Sequence, residues 1–286
     1  MVPTVVRELK VRPLRVRDRG AALRYLDRAP RLNLSLIDLV LRLGTPSRRG
    51  DGRAEVLAAY RGRDLVGVAA LHPSMTLDAT AGREVLEAFF PYLAGVGSGL
   101  VKSSEDVVDP LWEWLRSHGR RALLDRIETG YALEAHHAQL VDPGRRVRVR
   151  EARSRDLDLL VDAARASLRE EGRPDPFQGD PVGFRRWVRG RVPRATVAEN
   201  ETGVRFVGYA DVQCERGWLL QGIYTWPRNR RRGLAAAGVS VLCRNAFAAA
   251  ADHVQLSVVE GNTAAEGLYD RLGFRPFARL RTILFR

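Results

Sequence analysis

The residues best suited to chemistry lie where a strand pattern hands over to a helix pattern. Gln221-Gly222-Ile223-Tyr224-Thr225-Trp226 leads through Pro227-Arg228-Asn229 into Arg230-Arg231-Arg232-Gly233-Leu234-Ala235-Ala236. A helix N-terminus carries unpaired amides and a partial positive charge. Gly233 and Ala235 lack bulk, so a diphosphate can approach the backbone closely, and the arginines add positive field. On physical grounds alone this stretch is an anion cradle. It is neither a G-x-x-x-x-G-K-S/T loop nor a G-x-G-x-x-G turn, because neither string occurs there. The competing reading is a solvated arginine run ahead of an ordinary helix.

The surrounding elements follow from periodicity. Val147–Ala152 alternates as a strand. Asp156–Glu171 places Leu157, Leu160, Val161, Ala164 and Leu168 at helical spacing. Gly172–Pro181 is a loop, and Val182–Val192 a short helix with Phe184, Trp187 and Val188 on one face. Thr196–Val212 reads as a hairpin around Asn200-Glu201-Thr202-Gly203. Trp218–Trp226 is a strand, Arg232–Ala251 a long helix and His253–Val259 a strand. Thr263–Leu272 is a helix ended by Gly273, and Phe274–Phe285 supplies one or two final strands.

The pattern repeats within the chain. Residues 11–18, V-R-P-L-R-V-R-D, match 149–156, V-R-E-A-R-S-R-D, and each leads into an apolar helical pattern. Asp18 and Asp156 are expected as N-caps. A second hairpin, Ala54–Leu71 around Arg61-Gly62-Arg63-Asp64, echoes the later one. The turn-forming Val141-Asp142-Pro143-Gly144 marks a boundary. The expected domains are 1–142 and 145–286.

Two strings carry a resemblance to a known family. Arg230-Arg231-Arg232-Gly233-Leu234-Ala235 fits Q/R-x-x-G-x-G/A, and Asn262-Thr263-Ala264-Ala265-Glu266-Gly267-Leu268-Tyr269 through Gly273-Phe274 looks like N-x-x-A-x-x-x-Y-x-x-x-G-F. In this order and on these elements, they resemble the acetyl-CoA signature of the GCN5-related N-acetyltransferases (GNAT family) over roughly residues 147–286. Arg231 departs from the glycine most relatives carry there. The resemblance implies an α/β (α+β) fold of two GNAT-like domains. Each would be a central mixed, mostly antiparallel sheet flanked by helices. It also implies acetyl transfer from acetyl-CoA to an amine acceptor, a primary amine, by direct attack in a ternary complex.

On that basis Ile223, Tyr224 and Thr225 would present backbone groups to the pantetheine arm, as an added strand does. Arg230, Arg231, Arg232, Gly233, Leu234, Ala235 and Ala236 would hold the diphosphate. Asn262 would hydrogen-bond the pantetheine. Tyr269, two helical turns from Asn262, would protonate the leaving thiolate, with a purely packing tyrosine as the alternative. No base stands out: Gln221 cannot titrate, and Asp211 and Glu260 are weak candidates. The first half resembles the degenerate copy of tandem acetyltransferases. Its Gly95, Gly97 and Gly99 suggest a glycine-rich strand end, and Glu105 and Asp106 would repel a diphosphate.

Composition sets the outer limits. In 286 residues, 45% hydrophobic and 28% charged residues describe a globular chain. The start is charged too early for a signal peptide and no run is long enough for a membrane span, so a soluble, cytoplasmic protein is expected. The net charge of +13 permits anion binding. Lysine occurs only at Lys10 and Lys102, however, and the scattered arginines resemble the codon bias of a GC-rich genome more than a nucleic-acid footprint. Cys214 and Cys243 match no metal spacing, so neither a disulfide framework nor a zinc site is expected. A homodimer is compatible with the sequence. The competing function is an acyl-CoA sensor or interaction module that kept the cleft and lost turnover.

Overall fold

The computed structural model describes residues 8–45, 55–72, 74–177 and 179–286. The expectations for the first seven residues and for Ala54 lie outside the described residues. The chain divides into two compact units. The first holds the described residues up to Ile127 together with Arg279–Arg286, and the second holds Glu128–Ala278. The division therefore differs from a simple cut at 142–145. Residues 128–142 group with the second unit, and the chain returns to the first at its end.

In the first unit, β1 (Leu9–Pro13) is followed by α1 (Arg19–Leu26), α2 (Pro30–Leu41), β2 (Glu55–Arg61), β3 (Asp64–His72) and β4 (Thr76–Leu77). The four strands form an antiparallel sheet in the order β1-β2-β3-β4. Then come α3 (Arg83–Leu93), β5 (Gly99–Ser104) and α4 (Glu105–Ser117). β6 (Ala122–Leu133) runs across the division into the second unit. Phe89, Phe90 and Leu93 of α3 pack with Leu111, Trp112 and Leu115 of α4, and with Ile283 and Phe285 near the C-terminus, in one buried cluster.

The second unit continues with β7 (Arg148–Glu151), α5 (Leu157–Glu170), α6 (Pro181–Arg191), β8 (Ala195–Asn200), β9 (Gly203–Cys214) and β10 (Gly217–Thr225). It ends with α7 (Leu234–Ala248), β11 (Val254–Val259), α8 (Thr263–Arg271) and β12 (Arg275–Phe285), which crosses back. The strand order is β6-β11-β10-β9-β8-β7. All neighbours there are antiparallel except β10 and β11, which are parallel. One face of the sheet packs under α5 and α6 through Leu160, Phe184, Val188, Val207 and Tyr224. The other packs under α7 and α8 through Phe206, Leu220, Leu242, Leu256 and Tyr269. Both units are thus mixed α/β with mostly antiparallel sheets.

Local chemistry accounts for most boundaries. The Asp180 carboxylate accepts from the Val182 and Gly183 amides at 3.0 Å and starts α6. Asn200 accepts from the Thr202 amide at 2.9 Å in the β8–β9 turn. Two expectations change. Asp18 and Asp156 occupy N-cap positions, but neither carboxylate caps its helix; each bonds instead to the first arginine of its own repeat, Arg12 or Arg150. α7 begins at Leu234 rather than Arg232, because Arg231 and Gly233 take left-handed backbone. The chain after Gly273 forms one strand, β12. Cys243 is buried, and burial pushes its thiol well above the ordinary range.

Candidate functional site

The parallel pair β10–β11 parts soon after it forms. Trp218 pairs with Val254 and Leu219 with Gln255, and no later residue of either strand pairs with the other among the described residues. β10 nevertheless stays on β9 as far as Thr225, opposite Phe206. On that side it is irregular: Gln221 faces Tyr209 and Tyr224 faces Val207, so Gly222 and Ile223 stand opposite Gly208 alone. Gly222 takes φ +57°, backbone that a side chain disfavours. A first register shift against β9, between Leu219 and Leu220, falls where the pairing with β11 ends, and the bulge at Gly222 follows it; such irregularities bend a strand and sharpen its twist. The stretch Gly222–Thr225 therefore offers a ladder edge with no neighbouring strand, an edge that an extended ligand can complete.

The cradle follows at once. Pro227–Asn229 makes a short 3-10 turn, Arg231 takes φ +62° and Gly233 takes φ +78° as the N-cap of α7. No side chain caps α7. The Ala237 amide makes a helical bond to the Gly233 carbonyl at 2.9 Å, which leaves the amides of Leu234, Ala235 and Ala236 without an intrahelical acceptor. A Cβ on Gly233 would meet nothing within 4 Å, so the space over this turn is open. Arg231, Arg232 and Gly233 are exposed, Leu234 is buried, and Ala235 and Ala236 are half-buried. A non-glycine residue in left-handed backbone costs roughly 1–2 kcal/mol. Arg231 carries that cost where the motif usually has glycine.

Arg230 is not a free cation. Its Nη2 donates to Glu170 Oε2 at 2.5 Å and its Nε to the Thr225 carbonyl at 3.0 Å. Glu170 Oε1 accepts from the Tyr224 hydroxyl at 3.0 Å. Burial, aided by the Glu170 carboxylate, holds the Tyr224 phenol above its usual range. Glu170 was not foreseen. It is the last residue of α5, 60 residues from Arg230, and nothing in a helix pattern marks a terminal glutamate as the partner of a distant strand.

The remaining candidates separate. The Asn262 side-chain oxygen accepts from the Ala265 amide at 3.2 Å, so Asn262 is the N-cap of α8. Tyr269 lies on α8, 5% exposed, edge-on to Phe274 at 5.5 Å between ring centroids. It shares a core cluster with Leu220 of β10 and with Leu256 and Val258 of β11. Burial pushes its phenol far up, so the proton stays on the oxygen at neutral pH. Ile223 is half-buried against that same cluster. Asp211 is engaged by Arg191 at 2.5 Å and Arg194 at 3.1 Å. Glu260 is exposed. In the first unit, α4 opens with Glu105 and Asp106, the wrong charge for an anion at a helix N-terminus.

A family model described as FR47-like protein matches residues 212–282, a span that contains the parted strands, the cradle and α8. No curated protein matches the chain. The fold has many likenesses among solved structures. A Drosophila protein aligns at TM-score 0.71 and 16% identity, over 96% of this chain and 98% of that one. A tandem GNAT protein from the clavulanic acid biosynthesis pathway aligns at TM-score 0.58 and 14% identity, over 97% and 98%. A GNAT-family acetyltransferase from Colwellia psychrerythraea aligns at TM-score 0.55 and 13% identity, over 97% and 100%. At these identities the likeness is one of fold, and it runs nearly the full length of each chain. No described helix is long and apolar enough to cross a membrane. With an FR47-like match over the strand-to-helix site and a tandem GNAT protein that aligns over nearly its full length, the chain has the GNAT fold.

Proposed function

We propose that the second unit transfers an acetyl group from acetyl-CoA to a primary amine. The observation that carries this reading is the parting of β10 from β11 after Leu219, directly beside an uncapped helix N-terminus. An extended amide-bearing arm fits the open edge at Ile223, Tyr224 and Thr225, and a diphosphate fits the amides of Leu234–Ala236. Gly233 keeps the approach open, and Arg231 and Arg232 supply positive charge, to which Arg230 adds its own only by giving up its pair with Glu170. Asn262, with its oxygen committed to α8, has its side-chain amide N–H groups left for the pantetheine.

An ammonium that arrives charged first gives one proton to solvent. The neutral amine nitrogen then attacks the thioester carbonyl carbon; a C–N bond forms, the C–S bond breaks, and the nitrogen gives a second proton to solvent. An amide on the open strand edge stabilises the developing oxyanion. Tyr269 donates its proton to the departing thiolate and regains one from water. Glu170 supplies a carboxylate beside Tyr224 that attracts the positive charge of the incoming amine.

The test is release of free CoA thiol from acetyl-CoA across a panel of primary amines, with isothermal titration of CoA on the same preparation. The reading expects one CoA site per chain, in the second unit, and thiol release that depends on one class of amine. Tight CoA binding with no turnover on any amine would favour an acyl-CoA sensor. No CoA binding would overturn the site.

A further inference from the structure

We propose that Glu134, His136 and His137 form a binding site for a zinc-type divalent transition-metal ion. The three residues follow β6 within the second unit, and the short 3-10 turn Ala135–His137 carries both histidines. One ligand atom from each lies within 4.8 Å of the others. Glu134 Oε2 is 3.3 Å from His136 Nε2 and 3.9 Å from His137 Nδ1, and the two rings lie 4.0 Å apart between centroids, tilted by 43°. Ligands about 2.0–2.1 Å from a tetrahedral ion stand about 3.4 Å apart along each edge. The first separation already has that value. The second needs a shift of about half an ångström, and the edge between the two histidines, within 4.8 Å, needs at most about 1.4 Å, both by side-chain rotation.

The donor set decides the class of ion. Two imidazole nitrogens and one carboxylate oxygen suit zinc, copper or nickel, whereas calcium and magnesium take oxygen ligands. Both histidine side chains are exposed, which leaves the remaining coordination position to water. The absence of a metal-type cysteine spacing bears only on thiolate sites and leaves this one untouched.

The backbone beneath the donors is fixed before any ion arrives. The His137 amide donates to the Glu134 carbonyl at 3.0 Å, the Ala138 amide to Ala135 at 3.3 Å, and the Gln139 amide to Leu272 at 3.0 Å. Gly273, at φ +92°, backs so closely on the turn that a Cβ there would lie 2.0 Å from the His137 carbonyl oxygen. The end of α8 thus clamps the turn that carries the ligands, and a preorganised site loses little to ordering on binding. A bound ion would in return brace the turn against α8.

The experiment uses the full-length, untagged chain stripped with EDTA and titrated with zinc chloride by calorimetry, with cobalt(II) absorption as a second readout. The expected result is one saturable zinc site and the visible bands of tetrahedral cobalt. His136→Ala and His137→Ala should each weaken binding by at least about tenfold. Zinc should raise the melting temperature of the wild type but not of the double variant. Absence of saturable zinc binding to the wild type would overturn the proposal. So would binding that survives unchanged in the His136→Ala/His137→Ala chain, since the ion would then sit elsewhere. The wild-type titration stands on its own should a variant fail to fold, and neither histidine belongs to the acetyl-transfer site.

Discussion

Arg150 closes on Asp156 through two hydrogen bonds, of 2.7 and 3.0 Å, six residues apart along the chain. Arg12 and Asp18 repeat that relationship in the first unit at 2.9 Å. The first arginine and the terminal aspartate of each V-R-x-x-R-x-R-D copy are therefore partners, and each pair fixes the passage from edge strand to first helix. The surroundings have diverged. Arg150 faces Val197 on β8 and also binds Glu199 two residues on, at 2.8 Å. Arg12 faces Ala58 on β2, and two residues on is Tyr60, whose ring centroid lies 4.1 Å from the guanidinium. A carboxylate partner in one copy is an aromatic face in the other.

The Arg150 guanidinium holds Asp156 and Glu199 below their ordinary pKa ranges. A carboxylate with a depressed folded-state pKa adds stability above its unfolded value, about 4, and loses it as pH falls through the folded value. Arg150 and Asp156 side chains are only 10% and 5% exposed. Arg150→Met should cost about 3 kcal/mol at neutral pH, as expected when a buried carboxylate loses its partner. Urea melts at neutral and acid pH should show the gap to wild type shrinking below about pH 4. A gap that does not change with pH would mean the ion pairs are not its source. Arg12→Met, at a more exposed pair, should cost only about 1 kcal/mol or less.

Arg231 stands in left-handed backbone at φ +62° with its side chain exposed. Arg231→Gly relieves that strain, though it loosens the unfolded chain. The expected result is equal or higher stability, by up to about 1 kcal/mol, measured by denaturant unfolding. Marked destabilisation would show that the arginine side chain holds the loop by contacts of its own.

Gly233→Asp places bulk and like charge where the diphosphate is proposed to sit. CoA affinity should fall at least tenfold, about 1.4 kcal/mol or more. Gly233→Ala is the control, because it introduces the left-handed strain without the charge. Calorimetry that finds wild-type affinity in a folded Gly233→Asp chain would remove the cradle from the site.

Glu170→Gln keeps the shape of the side chain and removes its charge. If Glu170 attracts the amine, KM for the amine should rise about fivefold, equivalent to ~1 kcal/mol for a half-exposed pair. CoA affinity should hold or improve, because Arg230 then loses its competing carboxylate. An unchanged amine KM would leave Glu170 as a structural tie between α5 and β10.

Tyr269→Phe removes one hydroxyl from a side chain that is otherwise core packing. A general acid contributes about 10²–10⁴-fold, so turnover should fall by that order while CoA affinity and melting temperature stay close to wild type. Wild-type turnover in this variant would leave protonation of the sulfur to water.

The repeat, the hairpins, the amphipathic helices and both motif strings were legible because each rests on neighbours within a few residues. Period, turn chemistry and small residues at a helix start are local properties, so the sequence by itself determined the element types and the strand-to-helix crossing at which the cradle is proposed. Its limits show at particular residues. Asp18 and Asp156 match the pattern of an N-cap, yet each carboxylate turns to an arginine, and the backbone amide that Asp156 does accept, from Arg153 at 2.7 Å, lies behind it rather than in α5. Glu170 looks like any solvent-facing helix end until folding brings it to Tyr224 and Arg230. The parting of β10 from β11 falls at a register shift against β9, and the return of Arg279–Arg286 to the first unit depends on β5, where Leu280 pairs with Ser104. Only the tertiary structure decided these, because a hydrogen bond between residues far apart in the chain depends on which surfaces are buried together, and local periodicity carries no record of that choice.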